Sequence, residues 1–337
     1  LVGSEMCIRD RLYTKYKSEI IKQVESKTDI NGSKLKRSKA NDVIIPCSGE
    51  TAVDIATARC VPFDNILFGG DLNVISLHQY DGAFMSYQLN GKRKYDIARV
   101  AQGVSIVHLY GEHLKAIKTY NPTLPEQQKI AKLLSLLDDR IDTQNKIIED
   151  LKKLKSAISE RLFKSVKGFT VLLSDLCDIV KGKQINGENL SDSGNYYVMN
   201  GGTEPSGYYD NYNVEASTIS ISEGGNSCGY VQFNTSPFWS GGHCYSIQNI
   251  ADKVDNMYLY HYLKSNEDAI MKLRIGSGLP NIQKKDLAMF KIIVPKIEWQ
   301  IKISTFLSSL ERKAEIEERI QNVMQKQKLY LLQQMFI

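Results

Sequence analysis

Apolar residues recur at alternating three- and four-residue steps in two stretches of this chain. In the first they fall at Ile130, Leu134, Leu137, Ile141, Ile148, Leu151, Ile158 and Leu162. In the second they fall at Ile303, Leu307, Leu310, Ala314, Met324, Leu331 and Met335. This spacing predicts two long helices, each with a coiled-coil seam, the first interrupted at Gln144 and Lys155. At 1.5 Å per residue, about 40 residues give helices of roughly 60 Å. The first start is marked by Thr123-Leu124-Pro125-Glu126-Gln127, with proline at the entry and an acid where the helix dipole favours it. Elsewhere the pattern shortens to strand-like runs, NDVIIPCSGE (41–50), ILFGGDLNVISL (66–77), YYVMN (196–200), STISIS (217–222), GYVQF (229–233) and MFKIIV (289–294), set off by glycine turns.

The two helical stretches are copies. Pro122 to Phe163 aligns without a gap on Pro295 to Phe336, placing Gln127 on Gln300, Lys129 on Lys302, Leu134 on Leu307, Leu137 on Leu310 and Ile147 on Ile320 (295 − 122 = 336 − 163 = 173). The same offset reaches back to put Gly103 on Gly276 and Leu114 on Leu287. The unit that repeats is thus a globular segment, a proline and a long helix. A helix with such a seam needs a partner, and its own copy is the nearest available, so an intramolecular antiparallel pair is expected. Packing of each helix on its own domain, or parallel self-dimerisation, are the alternatives.

The expected architecture is α+β, with two globular domains each followed by a long helix, in a pseudo-two-fold repeat. The division reads 12–121 for the first domain, 122–166 for the first helix, 167–294 for the second domain and 295–337 for the second helix. Residues 1–11 lack an initiator Met, match nothing later and read as a non-native scar. The strand and loop VLLSDLCDIVKGKQI (171–185) has no evident counterpart in the first half, which suggests a first domain truncated at its N-terminus.

Composition adds little to this picture. A 42% hydrophobic and 24% charged chain of 337 residues is that of a folded globular protein of about two domains. No apolar run reaches about 18 residues, which argues for a cytoplasmic address and no membrane. The six cysteines are scattered without a C-x-x-C pair, so reduced thiols are expected rather than disulfides or zinc. A formal charge of +5 permits nucleic acid without demanding it.

The sequence has no phosphate-cradling G-x-x-x-x-G-K-[ST] loop, no H-E-x-x-H and no N-P-P-aromatic loop, Asn121-Pro122-Thr123-Leu124 being the nearest string. Ser277 between Gly276 and Gly278 lacks the G-x-S-x-G elbow, and turn and core roles are expected for Cys228, His243 and Cys244 rather than metal. Catalytic and metal residues are expected to be none.

The string LPEQQKIAKLLSLLDDRID, with its degenerate copy PKIEWQIKISTFLSSLERK, resembles the conserved regions of type I restriction-modification specificity subunits. The order of recognition domain, P-x-x-E-Q-x-x-I helix, recognition domain, helix covers the chain from about residue 40. That resemblance implies a non-catalytic subunit whose two target recognition domains each read half of a bipartite, asymmetric DNA site. The helices would set the spacing and dock two methyltransferase subunits, with restriction/translocase subunits in the full complex. No cofactor of its own is implied; S-adenosylmethionine, ATP and Mg belong to the partner subunits. On this logic the candidate DNA contacts are Arg59, Lys92, Arg93 and Lys94 in the first domain. In the second they are Lys181, Lys183, Gln184, Asn200, Asn226, Arg274 and Ser277. The competing readings are a coiled-coil protein scaffold without DNA binding, and an inactive silent copy of such a subunit.

Overall fold

The computed structural model describes residues 5–8, 12–29, 35–276 and 280–336. In chain order its elements are β1 (Glu5–Ile8), α1 (Leu12–Lys15), β2 (Lys27–Thr28), β3 (Asp42–Pro46), β4 (Ser48–Gly49), α2 (Ala52–Ile55), β5 (Arg59–Val61), β6 (Leu67–Phe68), β7 (Leu72–Ile75), α3 (Gly82–Asn90), α4 (Lys94–Val100), β8 (Val107–His108), α5 (Gly111–Lys115) and α6 (Leu124–Ser165). They continue with β9 (Phe169–Leu172), β10 (Asp178–Lys181), β11 (Tyr196–Met199), β12 (Tyr208–Tyr209), β13 (Thr218–Ser222), β14 (Val231–Asn234), β15 (Trp239–Ser240), β16 (Cys244–Gln248), α7 (Asn256–Ser265), α8 (Glu267–Met271), α9 (Lys284–Ala288), β17 (Lys291–Val294) and α10 (Ile297–Gln334). Two compact units result, one of Leu1–Ile147 with Glu317–Ile337, the other of Ile148–Ile316. Each long helix begins in one unit and ends in the other, so the linear division at 122, 167 and 295 and the compact units differ. Among the described residues no helix is long and apolar enough to cross a membrane.

The first unit is built on β3, whose five residues are all buried and which lies antiparallel between β5 and β7, with Ile44 opposite both Arg59 and Val74. Glu5–Ile8, set aside above with the rest of 1–11, is a strand paired parallel to β6, and Ile8 is fully buried against Leu12, Ile21 and Phe68. Asp81 caps α3, its carboxylate accepting the Phe84 N–H at 2.8 Å. That helix sends Phe84 and Tyr87 into a cluster with Ala131 and Leu134 from the start of α6, Leu332 from the end of α10 and Phe336 just beyond it. Start meets end, so the helix segments in this unit are antiparallel. Gln144 accordingly meets Glu317, and Lys328 of α10 bridges Asp138 of α6 at 2.7 Å and Glu19 at 2.6 Å.

The second unit carries a four-stranded antiparallel sheet in the order β10-β16-β13-β14. Along β13 the period of two sends Ile219 and Ile221 into one core with Val231, Tyr245 and Ile247. Phe163 near the end of α6 and Ile303 and Leu307 near the start of α10 complete that core. The helix segments are again antiparallel, with Lys155 paired to Glu311 at 2.6 Å.

The seam follows the sequence pattern. Leu134, Ile141, Ile148, Ile303, Leu307 and Met324 are buried, and Ile130, Leu137, Leu151, Ile158, Leu162, Leu310, Leu331 and Met335 are half-buried. The two polar interruptions have partners, Gln144 in Glu317 and Lys155 in Glu311. The copies also share a latch. Gln127 accepts the Asp81 N–H at 2.9 Å and donates to the Pro122 carbonyl at 2.8 Å, while Gln300 accepts the Asp255 N–H at 2.9 Å and donates to the Pro295 carbonyl at 2.9 Å. Each of these glutamines ties the entry of a long helix to the cap of the domain's main helix, and both are almost fully buried.

Candidate nucleic-acid interface

In the second unit the antiparallel register brings five polar turns to one end of the sheet. Lys181 at the end of β10 lies opposite Tyr245, and Ser222 at the end of β13 lies opposite Cys244 at the start of β16. Beyond those residues the chain turns on glycine. The Gly182 N–H donates to the Cys244 carbonyl at 2.8 Å and the Lys183 N–H to the Ser240 carbonyl at 2.9 Å, laying 182–184 against 240–243. A Cβ on Gly182 would come within 2.5 Å of the Ser240 and Gly241 backbone, so only glycine allows this approach. The Asn200 side chain accepts the His243 N–H at 3.1 Å, and the Ser222 hydroxyl donates to the Gly201 carbonyl at 2.6 Å. The Gly225 N–H donates to the Pro280 carbonyl at 3.0 Å, and Ile275 bridges Asn281, which draws in the segment carrying Arg274.

Lys183, Gln184, Asn226 and Arg274 are exposed in these turns. Asn200 is half-buried and spends one oxygen on holding a loop. Lys181 is exposed but its ammonium is 2.6 Å from the Glu223 carboxylate. Ser277 lies outside the described residues.

Sequence reasoning missed the acid at the centre of this surface. Glu223 is 7% exposed, and its Oε1 takes Lys181 Nζ at 2.6 Å and the Tyr245 hydroxyl at 3.0 Å. Burial and then the neighbouring Glu223 push the Tyr245 phenol above its ordinary range, so that group stays a donor to the carboxylate. A lone acid between the buried run Thr218–Ser222 and Gly224-Gly225 was the available signal, because an acid at the inner end of a buried strand must find partners.

In the first unit the named residues are less available. Arg59 is a correction: it is 6% exposed on β5, and its guanidinium donates to the Tyr16 carbonyl at 2.7 Å and the Ala58 carbonyl at 2.8 Å. A buried guanidinium must spend its donors inside, so this residue stabilises the interior and is not presented to DNA. Lys92 is exposed in the turn after α3. Arg93 is half-buried and paired with Asp96 at 3.4 Å, and Lys94 is half-buried, its ammonium lowered by burial and by the nearby Arg59 charge. The glycine turn does repeat: Gly103 and Gly276 both have positive φ, and the bridges Gln102 to His108 and Ile275 to Asn281 sit at the same offset of 173 (275 − 102 = 281 − 108). In the first copy Val104 at the turn is 98% exposed.

Among the described residues no group of three or more His, Cys, Asp or Glu side chains is arranged to hold a metal ion. Burial pushes the Cys60 and Cys177 thiols up to about 12 and Cys244 up to about 11.

The family model described as the type I restriction modification DNA specificity domain matches the chain twice, over residues 8–153 and 168–326. A type I specificity subunit of Mycoplasma genitalium is 34% identical over 122 residues, 36% of this chain and 31% of that protein. One of Mycoplasma pneumoniae is 32% identical over 145 residues, 42% of this chain and 38% of that protein. The aligned parts thus span about a third of the length of these relatives. The crystal structure of a type I restriction-modification S subunit from M. genitalium shares the fold, with a TM-score of 0.68 at 19% identity over 100% of this chain and 93% of that one.

Proposed function

We propose, on the premise that this chain belongs to the type I restriction modification DNA specificity domain family, that it is the sequence-reading subunit of a DNA-modifying complex. Each recognition domain reads one half of a split, asymmetric site in duplex DNA. The observation that carries this reading is the gathering of Lys183, Gln184, Asn226 and Arg274 on glycine turns at one end of the second sheet. Glycine lets backbone and side chains approach a groove closely, the cations meet phosphates, and amide and guanidinium groups match base edges. The different loops on the repeated domains fit two different half-sites.

The chain itself carries no catalysis in this reading. Methyl transfer from S-adenosylmethionine, and ATP- and Mg-dependent restriction, belong to partner subunits in the cytoplasm. Two methyltransferase subunits dock on the paired helices, which also fix the gap between half-sites. In the first unit a groove of about 390 Å³ between Leu137, Ile320, Val323 and Met324, flanked by Arg140 and Arg319, supports docking there.

The test is co-expression with a cognate methyltransferase subunit, followed by mapping of N6-methyladenine in the host DNA. Two short specific blocks around a fixed unspecified gap are expected. A stable complex that methylates no such site would count against DNA reading, and failure to form a complex would favour a protein scaffold.

A further inference from the structure

Glu223 has one oxygen employed and one idle. Oε1 takes the Lys181 ammonium and the Tyr245 hydroxyl, while Oε2 is buried with no hydrogen-bond partner among the described residues. A buried polar atom left unpaired costs about 1–3 kcal/mol, and an ion pair kept only for stability would be expected to engage both oxygens. The idle oxygen faces His243, whose Nδ1 is 3.9 Å away, beyond hydrogen-bonding distance. The His243 side chain is 63% exposed, so the neighbour of the idle oxygen is itself open to solvent.

The surroundings suit a base edge. Gly224 and Gly225 adjoin the acid in sequence and offer no side chain, and a Cβ built on Gly225 has nothing within 4 Å. The Lys181 charge beside Glu223 balances the carboxylate, which removes the repulsion that a bare acid would meet near phosphates. Lys183 and Arg274 remain to hold the DNA backbone.

We propose that Glu223 is a specificity-determining residue of the second recognition domain, its free oxygen accepting a hydrogen bond from the exocyclic amine of a cytosine or adenine in the major groove. The inference rests on the DNA-reading function proposed above. A carboxylate accepts only, so it favours N4 of cytosine or N6 of adenine and disfavours the oxygens of guanine and thymine. Lys181 then acts as a positioning residue that fixes Oε1 and so aims Oε2.

The experiment uses the full chain with its methyltransferase partners, beginning with the wild-type split motif. Glu223→Gln should weaken the preference for an amine-bearing base at one position of one half-site by roughly 5- to 150-fold, the equivalent of about 1–3 kcal/mol, and leave the other half-site unchanged. An unchanged motif, or a uniform loss at every position, overturns the proposal. A second arm needs no variant: wild-type complex is bound to duplexes in which each cytosine of that half-site is replaced by 2-pyrimidinone, or each adenine by purine, removing only the amine. A drop of the same size at one position supports the proposal and tells cytosine from adenine, and no drop at any position overturns it. A wild-type complex that reads no split site sinks the subunit function itself, and this inference falls with it.

Discussion

Gln144 donates to the backbone carbonyl of Glu317 at 3.1 Å and to its carboxylate at 2.5 Å, and Glu317 is the residue on which the internal repeat places Gln144. In an antiparallel pair with a constant repeat offset, a residue can face its own counterpart only near the middle of the pairing. A part-buried polar pair at that point costs stability and fixes alignment. Replacing both residues by leucine should raise the unfolding free energy measured in denaturant, by about 1–4 kcal/mol at most. It should also admit more than one helix alignment, seen as incomplete cross-linking between cysteines placed at positions 134 and 332, which link fully in the single parent alignment.

Lys328 and Lys155 are equivalent in the repeat, and so are their acidic partners Asp138 and Glu311, yet the two pairs are not equally buried. Lys328 is 16% exposed beside two carboxylates at 9% and 7%, and Tyr87 donates to Asp138 at 2.7 Å. Burial lowers the Lys328 ammonium, but Glu19 and Asp138 outweigh it and hold the group charged. Lys328→Met should therefore strand two buried acids and destabilise the first unit by about 3–5 kcal/mol. Lys155→Met, whose pair is 21% and 28% exposed, should cost about 1 kcal/mol. Hydrogen exchange read separately over the two units would distinguish these outcomes.

His261 sets a pH dependence for the second unit. It is 2% exposed with Nε2 2.9 Å from the Ser308 hydroxyl, and burial holds its protonation down to about 4 despite the attraction of Glu311. An unfolded histidine titrates near 6.5, so between these values the unfolded chain binds more protons. Stability contributed by the neutral ring is complete above pH 6.5 and is lost as the pH falls toward 4, by about 3 kcal/mol in all. Urea unfolding at pH 7.5 and pH 5 should show the loss, and His261→Gln should flatten it.

DNA affinity should separate surface from interior cations. Lys183→Ala is expected to reduce the slope of log affinity against log salt by about 1, without changing the bases read. Gln184→Ala should cost about 1–3 kcal/mol at one base position. Arg59→Ala should leave the salt slope unchanged and lower the unfolding midpoint, since its guanidinium is spent on the Tyr16 and Ala58 carbonyls.

The helices were legible because their seam is periodic and repeated, and a period survives in a single sequence. The latch was half legible: Gln127 and Gln300 align, but nothing in the spacing tells that each reaches a helix cap 46 or 45 residues upstream. Arg59 was misjudged because a lone cation reads as surface until β3 and its neighbour β5 are known to be buried. Glu223 was passed over for the converse reason, since an acid argues against DNA until the fold supplies Lys181 beside it. The turns carrying Lys183, Gln184 and Asn226 were found because glycine and asparagine mark them directly.

The first unit takes its last segment, Glu317–Ile337, from the far end of the chain. At about 5–20 residues per second, a ribosome that has finished Ile147 needs roughly 10–40 seconds to reach Phe336. Throughout that time the nascent first domain holds Phe84, Tyr87 and Leu134 without the Leu332 and Phe336 that cover them. This half of the molecule therefore matures last although it is made first, and the interval is when a chaperone, or a wrong partner helix, has its opportunity.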